Sequence, residues 1–288
     1  QSVGRQNVSE ITMEANPGTL EHDAFEAYLD AGITRISIGV QSFDPEQLKK
    51  LGRAHNSDDA SKAVENALKA GFDSVNLDLM FGLPDQNLDE AMADLERAIS
   101  FGTDHLSWYQ LTIEPRTEFH RRPPKLASDD LRADMSDVGR ELLEENGYSQ
   151  YEVSAFGRDG SRCRHNVNYW RFGDYVGIGA GAHGKIGRGG KIIRTMKPRQ
   201  PRLYLAGAPT EIVDVSHDEL PVEFMMNALR LTEGVETSLF SQTTGLSYEV
   251  ISDIVDRLVS WELMQPGRLQ VTERGYSQLN AVVSQFLN

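Results

Sequence analysis

Four apolar, β-branched segments of this chain each carry a polar side chain close to a glycine or proline turn. The polar residues are Glu14, Gln41, Asp78 and Gln110. Carboxylates in such places accept hydrogen bonds from amines or ribose hydroxyls, or act as acids and bases. For Glu14 the alternative is an ordinary salt bridge at a sheet edge, whereas a buried Asp78 requires a ligand or a positively charged neighbour.

Arg53 is a fifth candidate, in the sequence Leu-Gly-Arg-Ala-His at residues 51–55. Its planar guanidinium has the geometry to bind a carboxylate through two hydrogen bonds. From spacing alone, an ordinary surface arginine is the better interpretation.

The densest group of chemically capable side chains is the sequence Cys-Arg-His-Asn-Val-Asn-Tyr-Trp at residues 163–170. The imidazole of His165 can ligate heme iron, and the rings of Tyr169 and Trp170 can pack on a macrocycle, with the amide of Asn166 beside them. A structural histidine is the alternative, and composition alone favours it. Cys163 is expected to be a packed thiol, because the sequence fixes no activating partner.

Residues 179–184 match the Gly-x-Gly-x-x-Gly string of dinucleotide-binding proteins. That fingerprint needs a helix directly after it. The glycine-rich residues 185–190 predict no long helix, so a tight turn beside a ligand is the favoured interpretation.

Segments with helical periodicity separate the four apolar runs as far as about Pro115. The repeated order of strand, turn and helix predicts an α/β fold with a parallel sheet, which places functional residues at the carboxyl ends of the strands. The polar candidates are therefore expected to converge on one rim of a partial parallel barrel.

From about Glu219 the pattern changes to three helical segments, two short extended pieces and a last helix near Gly275. This order predicts a smaller, winged-helix-like α+β domain. Its third helix carries Glu249, Asp253 and Asp256, so reading of DNA is not expected. The predicted organisation is a partial barrel over 1–116, a barrel-completing and connecting region over 117–215, and the C-terminal domain over 216–288.

Composition limits the partners. The 288 residues carry a formal net charge of -14, which argues against binding a phosphate backbone. No window of about 18 consecutive apolar residues predicts a transmembrane helix. The single cysteine excludes an internal disulfide and agrees with a cytoplasmic location.

Together these segments resemble the HemN/HemW branch of the radical S-adenosylmethionine (SAM) proteins, and its HemW members most. The matching sequences are Glu-Ala-Asn-Pro-Gly at 14–18, Gly-Val-Gln-Ser-Phe at 39–43, Leu-Gly-Arg-Ala-His at 51–55 and Asp-Leu-Met-Phe-Gly-Leu-Pro at 78–84. The resemblance implies a partial (β/α)6-type barrel that lacks its first βα units. It also implies that Glu14, Gln41, Arg53 and Asp78 contact SAM.

The sequence His-Asn-x-x-Tyr-Trp at 165–170 is similar to the motif that marks HemW and is associated there with heme. The resemblance therefore implies a heme chaperone, with His165 as the candidate iron ligand supported by Asn166, Tyr169 and Trp170. The acceptor of the heme is not identified by the sequence.

The family's three-cysteine motif for a [4Fe–4S] cluster is missing from this sequence, as is its glycine-rich SAM loop. Because the chain also begins at Gln1 inside the βα series, we expect a fragment truncated at its N-terminus, whose parent holds the cluster. Two alternatives stay open. One is the enzyme oxygen-independent coproporphyrinogen III oxidase, although oxidase activity is not favoured, and the other is a protein-docking scaffold.

Overall fold

A computed structural model of the chain describes residues 8–19, 24–188 and 190–287. The chain divides into two compact units, residues 1–162 and residues 163–288. The division falls inside the connecting region that the sequence places at 117–215.

The first unit is built on a six-stranded sheet. Its four parallel strands are β1 (Thr12–Ala15), β2 (Arg35–Gln41), β3 (Ser74–Phe81) and β4 (His105–Gln110). An antiparallel hairpin of β5 (Ser149–Glu152) and β6 (Ala155–Gly157) continues the sheet, giving the order β1-β2-β3-β4-β6-β5. The predicted α/β fold with parallel strands is confirmed.

Helices connect the parallel strands. They are α1 (Ala24–Ala31), α2 (Pro45–Lys50), α3 (Ser57–Ala70) and α4 (Leu88–Ser100), followed by α5 (Glu118–Arg121) and α6 (Asp129–Glu145). Asn56 and Asn87 begin α3 and α4 with capping boxes, in which the cap side chain and the third helical residue satisfy each other's backbone N–H groups. These caps fix where each helix leaves the sheet.

The two faces of the sheet differ in chemistry because side chains alternate along a strand. One face is apolar and forms the main core with α3, α4 and α6. Its fully or nearly fully buried strand residues include Ile36, Ile38, Val40, Val75, Leu77, Leu79, Leu106 and Trp108. The residues between them, which belong to the other face, are mainly polar.

The second unit contains an antiparallel sheet of β7 (His183–Arg188), β8 (Lys191–Met196) and β9 (Glu211–Asp214). A short ribbon pairs β10 (Val235–Glu236) with β11 (Arg268–Leu269). The helices are α7 (Arg164–Trp170), α8 (Pro201–Leu205), α9 (Leu220–Ala228), α10 (Thr237–Thr244), α11 (Glu249–Ser260), α12 (Glu273–Tyr276) and α13 (Leu279–Ser284). Helices α9, α10 and α11 occupy the three predicted helical segments, and a helix begins near Gly275 as predicted. The predicted ribbon differs: the strand partner of Leu269 is Val235, which precedes α10, and Met264 forms only an isolated bridge with Val271.

A separate core lies in this second unit. The ring of Phe224 in α9 packs edge-on against Phe172 and Phe240, at centroid distances of 5.6 and 5.2 Å. No helix within the described ranges has the length and apolar character needed to cross a lipid bilayer.

Candidate functional site

The polar face of the first sheet carries a row of side chains on neighbouring strands. The register aligns Glu14 with Ser37, Ser37 with Asn76, and Asn76 with His105. One step closer to the carboxyl ends, Asp78 lies opposite Ser107. The parallel strands thus bring residues that are far apart in the sequence to the same edge.

Asp78 is a partly buried carboxylate with two kinds of donor. Its Oδ1 accepts a hydrogen bond from Asn76 Nδ2 at 2.8 Å, and its Oδ2 accepts one from Ser37 Oγ at 3.1 Å. Burial raises the pKa of Asp78, the hydrogen bonds oppose that rise, and the charge of Glu14 adds to it. Glu14 and Asp78 are therefore near enough to interact, and a ligand that donates hydrogen bonds or carries a positive charge would stabilise both.

Gln41 closes the second strand in an unusual backbone conformation. Its φ is +70°, which non-glycine residues rarely adopt, and a bulge lies between Ile38 and Gln41 in the pairing with β3. The side chain is almost fully buried, and Oε1 accepts a hydrogen bond from Tyr109 Oη at 2.6 Å. Strain of this kind persists where surrounding contacts hold it, and it is common at ligand sites.

Tyr109 links Gln41 to the charged residues. Burial raises the pKa of Tyr109 to about 12; the charge of Asp78 adds to this rise and the charge of Arg53 opposes it. Arg53 itself is exposed, and its Nη1 lies 3.5 Å from Asn16 Oδ1. The structure therefore brings Glu14, Gln41, Arg53 and Asp78 to one end of the sheet.

The structure does not bring Gln110 to this group. Gln110 lies two residues after Trp108 and therefore shares its helix-covered face of the sheet. A Cβ added at Gly82 would lie 3.5 Å from Cγ of Gln110. The prediction that Gln110 shares the rim with the other candidates is therefore wrong. Tyr109, not Gln110, lies on the polar face of the sheet, and its position two residues after Ser107 was the signal in the sequence.

The predicted heme motif lies on the single short helix α7. His165 and Tyr169 are four residues apart and share a face, with ring centroids 5.9 Å apart, and Tyr169 contacts Tyr175 at 4.8 Å. Asn166 and Trp170 have the same spacing of four residues on α7. The guanidinium of Arg230 lies 4.2 Å from the centroid of Trp170.

Cys163 immediately precedes α7 and is buried. Its Sγ lies 3.2 Å from Nδ1 and 3.5 Å from Nε2 of His165. The thiol is therefore a packed group that contacts the candidate iron ligand. Residues 179–184 lead into strand β7 rather than a helix, so the dinucleotide fingerprint lacks its required context.

Comparison with known proteins identifies two family models in the chain. Residues 4–98 match the radical SAM superfamily and residues 215–277 match the HemN C-terminal domain. The structure of coproporphyrinogen III oxidase (HemN) from Escherichia coli, described as a radical SAM enzyme, superposes with a TM-score of 0.77 at 20% identity, covering 97% of this chain and 70% of that one. The fold is thus that of a radical SAM protein with a HemN-type C-terminal domain.

Relatives found by sequence comparison narrow the family further. Heme chaperone HemW of Escherichia coli (strain K12) is 49% identical over 283 residues, covering 97% of this chain and 75% of the relative. Heme chaperone HemW of Haemophilus influenzae is 47% identical over 282 residues, covering 96% and 74%. This chain belongs to the HemW family.

The family implies a [4Fe–4S] cluster, SAM and heme. A cluster is held by cysteine thiolates, four in the common arrangement, and these 288 residues contain one cysteine, so they do not themselves fit a cluster. The donor set at the sheet edge does fit SAM: carboxylates suit its hydroxyl and ammonium groups, and a guanidinium suits its carboxylate.

Proposed function

We propose that this chain acts as a heme chaperone, which binds heme at α7 and SAM at the polar edge of the first sheet, and passes the heme to an acceptor protein. The observation that carries the heme assignment is the ring contact of His165 with Tyr169 on one short helix that also carries Asn166 and Trp170. Membership of the HemW family supports it.

Within this proposal each residue of α7 has a chemical role. The imidazole of His165, which contacts the thiol of Cys163 in this structure, would hold the iron, and the ring of Tyr169 would pack on the macrocycle. The indole Nε1 of Trp170 has no hydrogen-bond partner among the described residues, so it is available to donate to a propionate. The guanidinium of Arg230 beside it adds positive charge for the same group.

The test of the heme site is a titration of the chain with hemin, followed through the Soret band. His165→Ala is expected to shift the band and to weaken binding about tenfold or more, equivalent to about 1.4 kcal/mol or more. His217→Ala is the control, because His217 is an exposed histidine of the same unit. An identical Soret spectrum and affinity in both variants would exclude His165 as the iron ligand.

SAM binding is tested separately by isothermal titration calorimetry. Loss of a hydrogen bond to a charged group costs about 1.5–3 kcal/mol, so Asp78→Asn is expected to weaken SAM binding by about 10- to 100-fold. Asp73→Asn, an exposed aspartate just before the amino end of β3, is the control. Equal dissociation constants for the two variants would remove Asp78 from the site.

Coproporphyrinogen oxidation is not part of the proposal. The likeness to the oxidase HemN at 20% identity shows the fold alone.

A further inference from the structure

A buried chain of hydrogen bonds leads away from Asp78 across the polar face of the sheet. His105 is 1% exposed; its Nδ1 lies 2.6 Å from Asn76 Oδ1, and its Nε2 lies 2.8 Å from Tyr151 Oη. Asn76 in turn contacts Asp78. None of the three residues belongs to the family motifs in the sequence, and residues 76 and 151 lie on different strands from His105.

The chemistry of the partners fixes the direction of each hydrogen bond. A carboxylate only accepts, so Asn76 must turn its NH2 group towards Asp78, with Nδ2 also 2.7 Å from Ser37 Oγ. The amide oxygen of Asn76 then faces His105 and accepts from Ser107 Oγ at 3.1 Å.

An amide oxygen cannot donate, so His105 must carry a proton on Nδ1. Burial lowers the pKa of His105 to about 3; the charge of Arg35 adds to this and the charge of Glu10 opposes it. The imidazole is therefore neutral near pH 7, its Nε2 is an acceptor, and Tyr151 donates to it. Every donor in the chain points towards Asp78.

We propose that Tyr151, His105 and Asn76 are positioning residues that hold the carboxyl group of Asp78 in the orientation needed for its ligand. This inference rests on the proposed SAM site. The three residues do not touch the ligand and act through Asp78.

The physical basis is the competition around Asp78. Glu14 on β1 faces it with a like charge, and Tyr109 on β4 lies close enough for its ionisation to respond to Asp78. Burial and the charge of Glu14 raise the pKa of Asp78, and the hydrogen bonds from Asn76 and Ser37 oppose that rise. His105, held in turn by Tyr151, prevents the amide of Asn76 from rotating, so that its NH2 group keeps donating to Asp78.

The test is nuclear magnetic resonance of the full chain without ligand. In the wild type, the 15N signals of His105 are expected to show the proton on Nδ1, with no titration above about pH 4. Asn76→Leu is expected to raise the titration midpoint of the Asp78 carboxyl carbon by about one pH unit and to weaken SAM binding about tenfold.

Tyr151→Phe is the milder variant, for use if Asn76→Leu does not fold. It is expected to shift the Nε2 signal of His105. It is also expected to raise the titration midpoint of Asp78, by less than Asn76→Leu does. Tyr148→Phe is the matched control, because this buried tyrosine donates to the backbone carbonyl of Thr103 and takes no part in the hydrogen bonds between Tyr151 and Asp78. It is expected to leave Asp78 unchanged.

A proton on Nε2 of His105 in the wild type, or an Asp78 midpoint that none of these variants moves, would overturn the inference even if SAM binds. If the spectra are as expected and the wild type does not bind SAM, the proposed function fails and the positioning chain stands.

Discussion

At the scale of single residues, Asp94 explains how the strained end of β2 is held. Its Oδ2 accepts from Ser42 Oγ at 2.6 Å, and its Oδ1 accepts from the backbone N–H of Phe43 at 2.7 Å. These two residues directly follow Gln41, whose backbone is left-handed. Asp94 on α4 therefore anchors the turn that aims Gln41 at Tyr109.

The anchor has a pH dependence that can be measured. Burial raises the pKa of Asp94 to about 6, with the hydrogen bonds from Ser42 and Phe43 opposing the rise. Because the folded state binds the proton more tightly than the unfolded state, this contribution to stability is complete below about pH 3.8 and is lost as the pH rises through about 6.

Asp94→Asn removes this titration. The unfolding free energy of the wild type minus that of Asp94→Asn is expected to fall by about 2 kcal/mol between pH 4 and pH 7. Urea unfolding at a series of pH values measures it. Asp89→Asn, at an exposed position of the same helix, controls for removal of a charge. A difference that stays constant across this pH range would contradict the prediction.

At the scale of elements, the contact between α6 and the sheet depends on Gly139. A Cβ added there would lie 2.1 Å from Cη2 and 2.2 Å from Cζ3 of Trp108. The helix approaches the indole so closely that no side chain fits between them. This contact helps to cover the apolar face whose opposite side carries the site.

Gly139→Ala is therefore expected to destabilise the protein by about 1–3 kcal/mol, although alanine normally favours a helix over glycine. Thermal and urea unfolding measure the change. Ser136→Ala, at an exposed position of α6, should stay within about 0.5 kcal/mol of the wild type. Trp108→Phe combined with Gly139→Ala should recover part of the loss, since the outer indole atoms are then absent; strict additivity would refute the steric cause.

At the scale of the whole molecule, two compact units each have a core of their own. The first core covers the apolar face of the six-stranded sheet, and the second surrounds Phe224. The candidate SAM residues lie in the first unit and the candidate heme helix lies in the second. A change in one core is therefore expected to act mainly on one of the two proposed sites.

Phe224→Ala tests this separation. Removal of the fully buried ring is expected to cost about 3–5 kcal/mol and to increase hydrogen exchange mainly in residues 163–288. Met226→Ala, at a 57% exposed position of the same helix, is the control and should change little. Equal loss of protection in both units would show that they do not behave as separate cores.

Much of the local structure could be predicted from the sequence. Runs such as Arg35 to Gln41 alternate in a way that only a strand satisfies, and His165 and Tyr169 have the spacing that joins side chains on a helix. These are properties of neighbouring residues, so they need no knowledge of the rest of the molecule. The motifs also predicted that Glu14, Gln41, Arg53 and Asp78 belong to one site.

The tertiary structure alone decided which distant side chains meet. His105 contacts Asn76 across 29 positions and Tyr151 across 46, and the bulge in β2 sets where Gln41 meets Tyr109. Such contacts depend on the register between strands, because a shift of one residue would turn every side chain to the other face. The sequence determined the strands and their polar residues. The register between strands decided that Tyr109, and not Gln110, contacts Gln41, and that His105 is connected to Asp78 through Asn76.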